Sequence, residues 1–222
     1  MTDRQIQILI DSLLPLLKAG VAFTIPLTLI SFTLGLIIAV ATALVRLYSW
    51  RPLRLIARFY VWIIRGTPLL VQLFIIFFGL AYVGIILDPF TASVIGFSLS
   101  VGAYGSEIVR AAIQSIQKGQ WEAASSLGMT RWQALRRIIL PQAARVSVPP
   151  LGNSFISLVK DTSLAASITY LEMFRVAQQI NAAKFEPLLI YCEVAVIYLL
   201  FSSILSWLQN VMEKRLARYS AS

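Results

Sequence analysis

The sequence predicts an all-α membrane protein with five transmembrane helices. Three observations carry this. First, 58% of the 222 residues are hydrophobic and only 13% are charged, with a mean hydropathy of +0.78; a soluble domain holds roughly 25% charged residues. Second, apolar stretches of the length needed to cross a bilayer, about 20 residues, recur along the chain. Third, the 19 Lys and Arg residues fall in blocks between those stretches, as they do in membrane proteins whose cytoplasmic loops are positive.

Taken in order, residues 1–19 form a separate short helix. Ile6, Leu9, Ile10, Leu13, Leu14 and Leu17 recur at helical spacing, whereas Gln5, Asp11, Ser12 and Lys18 fall off that face. Such a helix suits either the bilayer surface or packing against the bundle. It lacks the marks of a cleaved signal peptide, because Asp3 offsets Arg4, Asp11 interrupts the apolar run and no small-x-small pattern follows. It is expected to stay attached.

The five spans are expected at approximately 20–45, 67–87, 90–109, 146–168 and 187–209. Thr67 can cap the second, with Pro68 in its first turn. Pro149, Pro150 and Gly152 make the fourth the least regular. Between the first two spans lie Arg46, Arg51, Arg54, Arg58 and Arg65; between the third and fourth lie Arg110, Lys118, Arg131, Arg136, Arg137 and Arg145; the tail adds Lys214, Arg215 and Arg218. The other five cations, Arg4, Lys18, Lys160, Arg175 and Lys184, belong to the opposite side. The N-terminus is therefore predicted outside and the C-terminus in the cytoplasm. No repeat, low-complexity tract or linker divides residues 1–222, which read as one domain.

Several function classes fall away. The net charge of +9 belongs to cytoplasmic loops and anionic lipid rather than to nucleic acid. With no His and the single Cys192, the chain offers no internal disulfide, no zinc or haem site and no hydrolytic triad. No Gly-x-x-x-x-Gly-Lys-Ser/Thr occurs, so any nucleotide is bound by a partner. Nothing between 90 and 109 suggests the ring of charges or carbonyls of an ion channel.

Residues 115–141 form the longest cytoplasmic loop, too patterned for a connector. Trp121 to Leu127 is Ala-rich; Gly128 suits the left-handed position beyond a helix end. Thr130 and Gln133 spell a capping box that opens a second helix, with Trp132, Leu135, Ile138 and Ile139 as its apolar stripe and Arg131, Arg136 and Arg137 facing water or a partner. Pro141 limits how far that helix runs unbent. Two rigid amphipathic helices presented to the cytosol make a docking surface.

Glu122-Ala123-Ala124, then Gly128, then Ile138 and Leu140-Pro141 match without departure the signature of a known family, EAA, three residues, Gly, nine residues, Ile, one residue, Leu-Pro. The chain thus resembles the permease subunits of ATP-binding-cassette importers. That resemblance implies the type I importer permease fold and a bacterial inner-membrane location. It also implies a 115–141 coupling loop seated in a cytoplasmic ATPase pair that holds ATP and magnesium, a second copy or a paralogue as permease partner, and an extracytoplasmic solute-binding protein. Arg65-Gly66-Thr67-Pro68-Leu69, Tyr104 to Arg110 and NSFISLVKDTSL, from Asn153 to Leu164, resemble motifs of the polar amino-acid branch, which takes histidine, glutamine, arginine or cystine. GQWEAASSLGM and ILPQAARVSVPPL are similar to L-cystine permeases. The rival from another class is a membrane scaffold that binds an ATPase without moving solute.

Candidate substrate-path residues are Asn153, Ser157, Lys160, Asp161 and Thr162. Asn153, Ser157 and Asp161 repeat every four residues and share one helix face; an intramembrane carboxylate is a natural acceptor for an ammonium group. The alternative places Asp161 and Lys160 at the outer rim in water. Glu107 and Arg110, three apart, read as a structural pair or as part of coupling. Glu193, outside the family pattern, reads as reaching the outer interface.

Overall fold

The computed structural model describes residues 2–218, with side chains described as far as Lys214. Among these residues there are helices and no strands. The first helix, α1 (Asp3–Tyr48), absorbs the segment expected to be separate: a π-turn at Gly20–Thr24 carries Asp3–Ala19 directly into Ile25–Tyr48. Pro26 lacks an amide donor, and the wider turn before it accommodates that loss without a break. The inner face of the N-terminal half, with Ile8, Leu16 and Ala19, is buried against Met173, Ala177, Ile190, Val194 and Ile197.

Helix α2 (Arg51–Gly66) lies where only a charged connector was expected, and a bend of 108° separates it from α3 (Leu69–Tyr82). Thr67, preceding proline, is extended at φ −123° and ψ 148°. It ends α2 rather than capping α3; Pro68 takes the cap position. Gln72 closes the corner, its Nε2 donating to the carbonyls of Ile64 at 2.8 Å and Thr67 at 3.0 Å and to the Thr67 hydroxyl at 2.9 Å. Those carbonyls belong to a helix end with no further turn to satisfy them.

Helix α4 (Pro89–Ser115) is the centre of the bundle, capped by Asp88, whose carboxylate accepts from the amides of Phe90 and Thr91. Its apolar window is 61% buried at a mean hydropathy of 1.3, whereas those of α1 and the last helix are 28% and 17% buried at 2.3 and 2.2. Helices at the bundle surface must be apolar on most faces, whereas a helix wrapped by protein tolerates small polar residues. α4 runs parallel to α1: Ser98 donates to the Ser31 carbonyl at 3.2 Å, Gly35 packs on Val101, and Ala39 faces Gly105. Small residues permit this approach. A Cβ on Gly102 would lie 2.5 Å from Ile38 and 2.6 Å from the Tyr60 hydroxyl.

Helix α5 (Lys118–Ser126) is followed by α6, which starts at Arg131–Ala134, passes a π-turn at Leu135–Ile139 and continues as Leu140–Asp161. Pro141 therefore does not divide the helix; as at Pro26, a π-turn precedes the proline. A 3-10 turn, Thr162–Ile168, leads to α7 (Met173–Lys184) and α8 (Pro187–Arg218). Among the described residues three helices are long and apolar enough to cross a membrane, α1, α4 and α8, and the bent α2–α3 pair makes a fourth if it is one span. The expected span at 146–168 ends as an α-helix at Asp161, and its last seven residues form the 3-10 turn.

Candidate functional site: a helical hairpin and a polar cleft on one helix

The hairpin between α5 and α6 is built from backbone rules. Gly128 takes φ +71°, and its amide and that of Met129 return to the carbonyls of Ser125 at 2.9 Å and Ala124 at 3.1 Å. These bonds satisfy the exposed end of α5. Thr130 then forms the capping box with Gln133 in both directions, at 2.9 and 3.3 Å. Gln120 and Gln142 join the two arms at 3.0 Å.

Ala124, Ala134, Leu135 and Ile139 are buried, while Arg131, Arg136 and Arg137 are exposed. Trp132, expected in the apolar stripe, is instead 61% exposed and lines, with Trp121, Glu122, Ser125 and Arg131, an open cavity of about 870 Å³. Glu122, Ala123 and Pro141 face outward; Ile138 and Leu140 are half-buried against Ala43, Val109, Ala112 and Ile113. The root of the hairpin is thereby packed onto the ends of α1 and α4. A force on the α5–α6 groove acts on the bundle through that contact.

Along the same helix α6, Asn153, Ser157 and Asp161 open onto a second cleft of about 450 Å³, whose opposite wall is Leu69 of α3 and Ser100 and Tyr104 of α4. The structure brings these three together as their spacing predicts. Lys160 and Thr162 do not join them: Lys160 points outward, and Thr162 is buried, donating to the Val159 carbonyl at 2.7 Å. Asn153 also accepts from Gln209 of α8 at 3.1 Å. Ser100 and Tyr104 were missed as wall residues; their small or aromatic character on α4 reads equally as packing, and only the fold brings them opposite α6.

Glu107 exceeds the expected pair. It accepts from Arg46 at 2.6 Å and Arg110 at 2.7 Å and stands 3.5 Å from Arg65. Glu193 accepts from Ser12 at 2.5 Å, linking α8 to α1. An acid not singled out in the sequence, Glu172, is fully buried; it caps α7 through the amides of Phe174 and Arg175 and accepts from the Tyr198 hydroxyl at 2.7 Å. Among the described residues no cluster of three metal-ligating side chains occurs.

Residues 31–218 match the family described as the binding-protein-dependent transport system inner membrane component. The chain belongs to this family. This inner-membrane component is 55% identical to the L-cystine transport system permease protein TcyB of Bacillus subtilis, over 95% of the chain and 91% of the relative. It is 43% identical to the probable amino-acid ABC transporter permease protein YckA of the same organism, over 92% and 91%. A crystal structure described as an amino acid ABC transporter with histidines superposes with a TM-score of 0.86 at 38% identity, covering 90% of this chain and 94% of that one. The type I permease fold expected from the EAA signature is thus present, and the chain is a transport subunit, not an enzyme.

Proposed function

We propose that this inner-membrane component forms the translocation path of an ATP-driven importer for L-cystine or a related polar amino acid. The observation that carries the reading is the polar face of α6. Asn153, Ser157 and Asp161 line one cleft on the same continuous helix that begins in the hairpin at Thr130. Its volume falls in the range of small-molecule pockets, about 300–1000 Å³. Asp161 accepts the ammonium of the amino acid, and Tyr104, Ser100 and Ser157 offer hydroxyls to its carboxylate. Both relatives named for amino-acid permeases support the substrate class.

The hairpin carrying Glu122, Ala123, Ala124, Gly128, Ile138, Leu140 and Pro141 docks on a cytoplasmic ATPase pair, which binds ATP and magnesium. Helix α6 is a rod of roughly 45 Å at 1.5 Å per residue; closure of the ATPases moves its base and, through it, the Asp161 end. A second permease, either another copy or a paralogue, completes the path, and an extracytoplasmic binding protein supplies the solute. Topologically, α1 and α4 run parallel, so the α2–α3 pair supplies the return crossing. With α6 and α8 this gives five crossings, the N-terminus outside and the C-terminus in the cytoplasm. The N-terminal half of α1 lies at the outer surface, packed on α7 and α8.

The test is uptake by the reconstituted complex, with its binding protein, across a panel of amino acids including L-cystine. Wild type should show substrate-stimulated ATP hydrolysis and uptake, and Asp161→Asn should reduce uptake severalfold while the complex remains assembled. Wild-type uptake by Asp161→Asn at every substrate concentration returns Asp161 to the membrane rim. ATPase binding without any substrate-dependent turnover identifies a scaffold.

A further inference from the structure

A third cavity, of about 440 Å³, lies between the C-terminal end of α1, the Tyr104–Glu107 turn of α4 and the face of α2. Its lining includes Arg46, Arg58, Arg65, Trp62, Tyr104 and Glu107. Three arginines thus face one carboxylate, and that carboxylate is shared with a fourth, Arg110. The excess positive charge is uncompensated among the described residues. Arg58 makes no hydrogen bond or ion pair there, Arg65 reaches Glu107 only at 3.5 Å and otherwise lies 5.3 Å from the Tyr104 ring, and the Nε of Arg46 is buried without a partner. Guanidinium groups so arranged match the geometry of a phosphate, which accepts two parallel N–H bonds from each.

The second feature is what borders the cavity. Helix α2 divides lengthwise: Arg51, Arg54, Arg58 and Arg65 form one stripe, and Leu55, Ile56, Phe59, Trp62 and Ile63 form the next, all five exposed. Trp62, 69% exposed, belongs to both, since it lines the cavity and stacks on Phe59 with ring centroids 5.9 Å apart. A free phosphate would use the arginines and leave the apolar stripe bare. An apolar partner would cover the stripe and leave the charges unanswered.

We propose that this cavity binds the phosphate of an anionic phospholipid, with its acyl chains along the Leu55–Ile56–Phe59–Trp62 stripe. Tryptophan at the junction of headgroup and chain suits the bilayer interface. The lipid holds α2 flat at the membrane surface and so fixes the corner from which α3 rises.

The assembled transporter, in phosphatidylcholine bilayers containing a minor fraction of photoreactive phosphatidylglycerol, provides the test. Cross-linking is mapped by mass spectrometry to the 51–66 segment, with photoreactive phosphatidylcholine as the control. Arg58→Gln and Arg65→Gln are compared with wild type. Phosphatidylglycerol should label this segment in preference to phosphatidylcholine, and each substitution should reduce that preference about fivefold without changing the control. Equal labelling by both lipids, or undiminished labelling in both variants, overturns the proposal. Protection of the segment by inorganic phosphate or by an amino acid would assign the cavity to a free anion instead, and absence of any labelling would assign the face to the second permease. Arg58 is exposed and unpaired, so its substitution leaves the protein folded and the comparison valid.

Discussion

Arg46, in the last turn of α1, meets Glu107 of α4 at 2.6 Å. The contact ties together two parallel helices that otherwise pack small residues, Gly35, Gly102 and Gly105, against Val101, Ile38 and Ala39. Both side chains are mostly buried, and Glu107 also receives Arg110 at 2.7 Å. One carboxylate therefore keeps several guanidinium groups from repelling one another.

Replacing that acid should expose the repulsion. Glu107→Gln is expected to destabilise the protein by roughly 2 kcal/mol, between the about 1 kcal/mol of an exposed pair and the roughly 3–5 kcal/mol of breaking a buried one. Thermal unfolding in detergent measures it. The double variant Arg46→Gln with Glu107→Gln should recover part of the loss; if it is worse than additive, charge repulsion is not the cause.

Gln72 gives a second prediction, because its amide satisfies the carbonyl groups left open by the 108° bend. Gln72→Leu keeps the volume and removes the donor. The cost expected for orphaning buried carbonyls is about 1–3 kcal/mol, and Gln72→Glu should be no better, since an ionised carboxylate only accepts. Unfolding temperatures of the two variants, compared with Gln72→Asn, provide the check.

The proposed orientation predicts that residue 48 is cytoplasmic and residue 180 outside. With Cys192 first replaced, a cysteine at 180 should react with an impermeant thiol reagent in intact cells, and one at 48 only after the membrane is opened. Shielding at 180 would remove the five-crossing topology while leaving the fold untouched.

Much of this architecture is legible in the sequence because lipid imposes composition directly. Spans around 20–45, 90–109 and 187–209 declare themselves by hydropathy, and the hairpin declares itself by Gly128 and the Thr130–Gln133 box, whose effects are local. Helix α2 was hidden, although Leu55, Ile56, Phe59, Trp62 and Ile63 repeat at helical spacing, because four arginines in the segment read as a loop. The continuity of α1 across the junction at residue 19 and of α6 past Pro141 was hidden for a different reason. A proline marks a lost hydrogen bond, but a π-turn that absorbs the loss leaves no comparable mark. In the cleft, the every-fourth spacing of Asn153, Ser157 and Asp161 was visible because it lies on one helix. The opposing Ser100 and Tyr104 come from another helix, and the contact between them is made only by folding.

Transmission from the ATPases to α6 requires the hairpin to act as a rigid lever, and Gly128 tests that most directly. It has a φ of +71° with nothing near enough to clash with a new side chain, so substitution there changes backbone preference alone. For a non-glycine residue the left-handed region costs about 1–2 kcal/mol, more for β-branched valine and less for asparagine. The measurement is amino-acid uptake coupled to ATP hydrolysis in the reconstituted complex carrying wild type, Gly128→Asn or Gly128→Val. A rigid lever requires near-normal coupling for Gly128→Asn, and for Gly128→Val a folded, membrane-inserted permease that has lost ATPase binding or coupled uptake. Wild-type uptake and hydrolysis by Gly128→Val would contradict it.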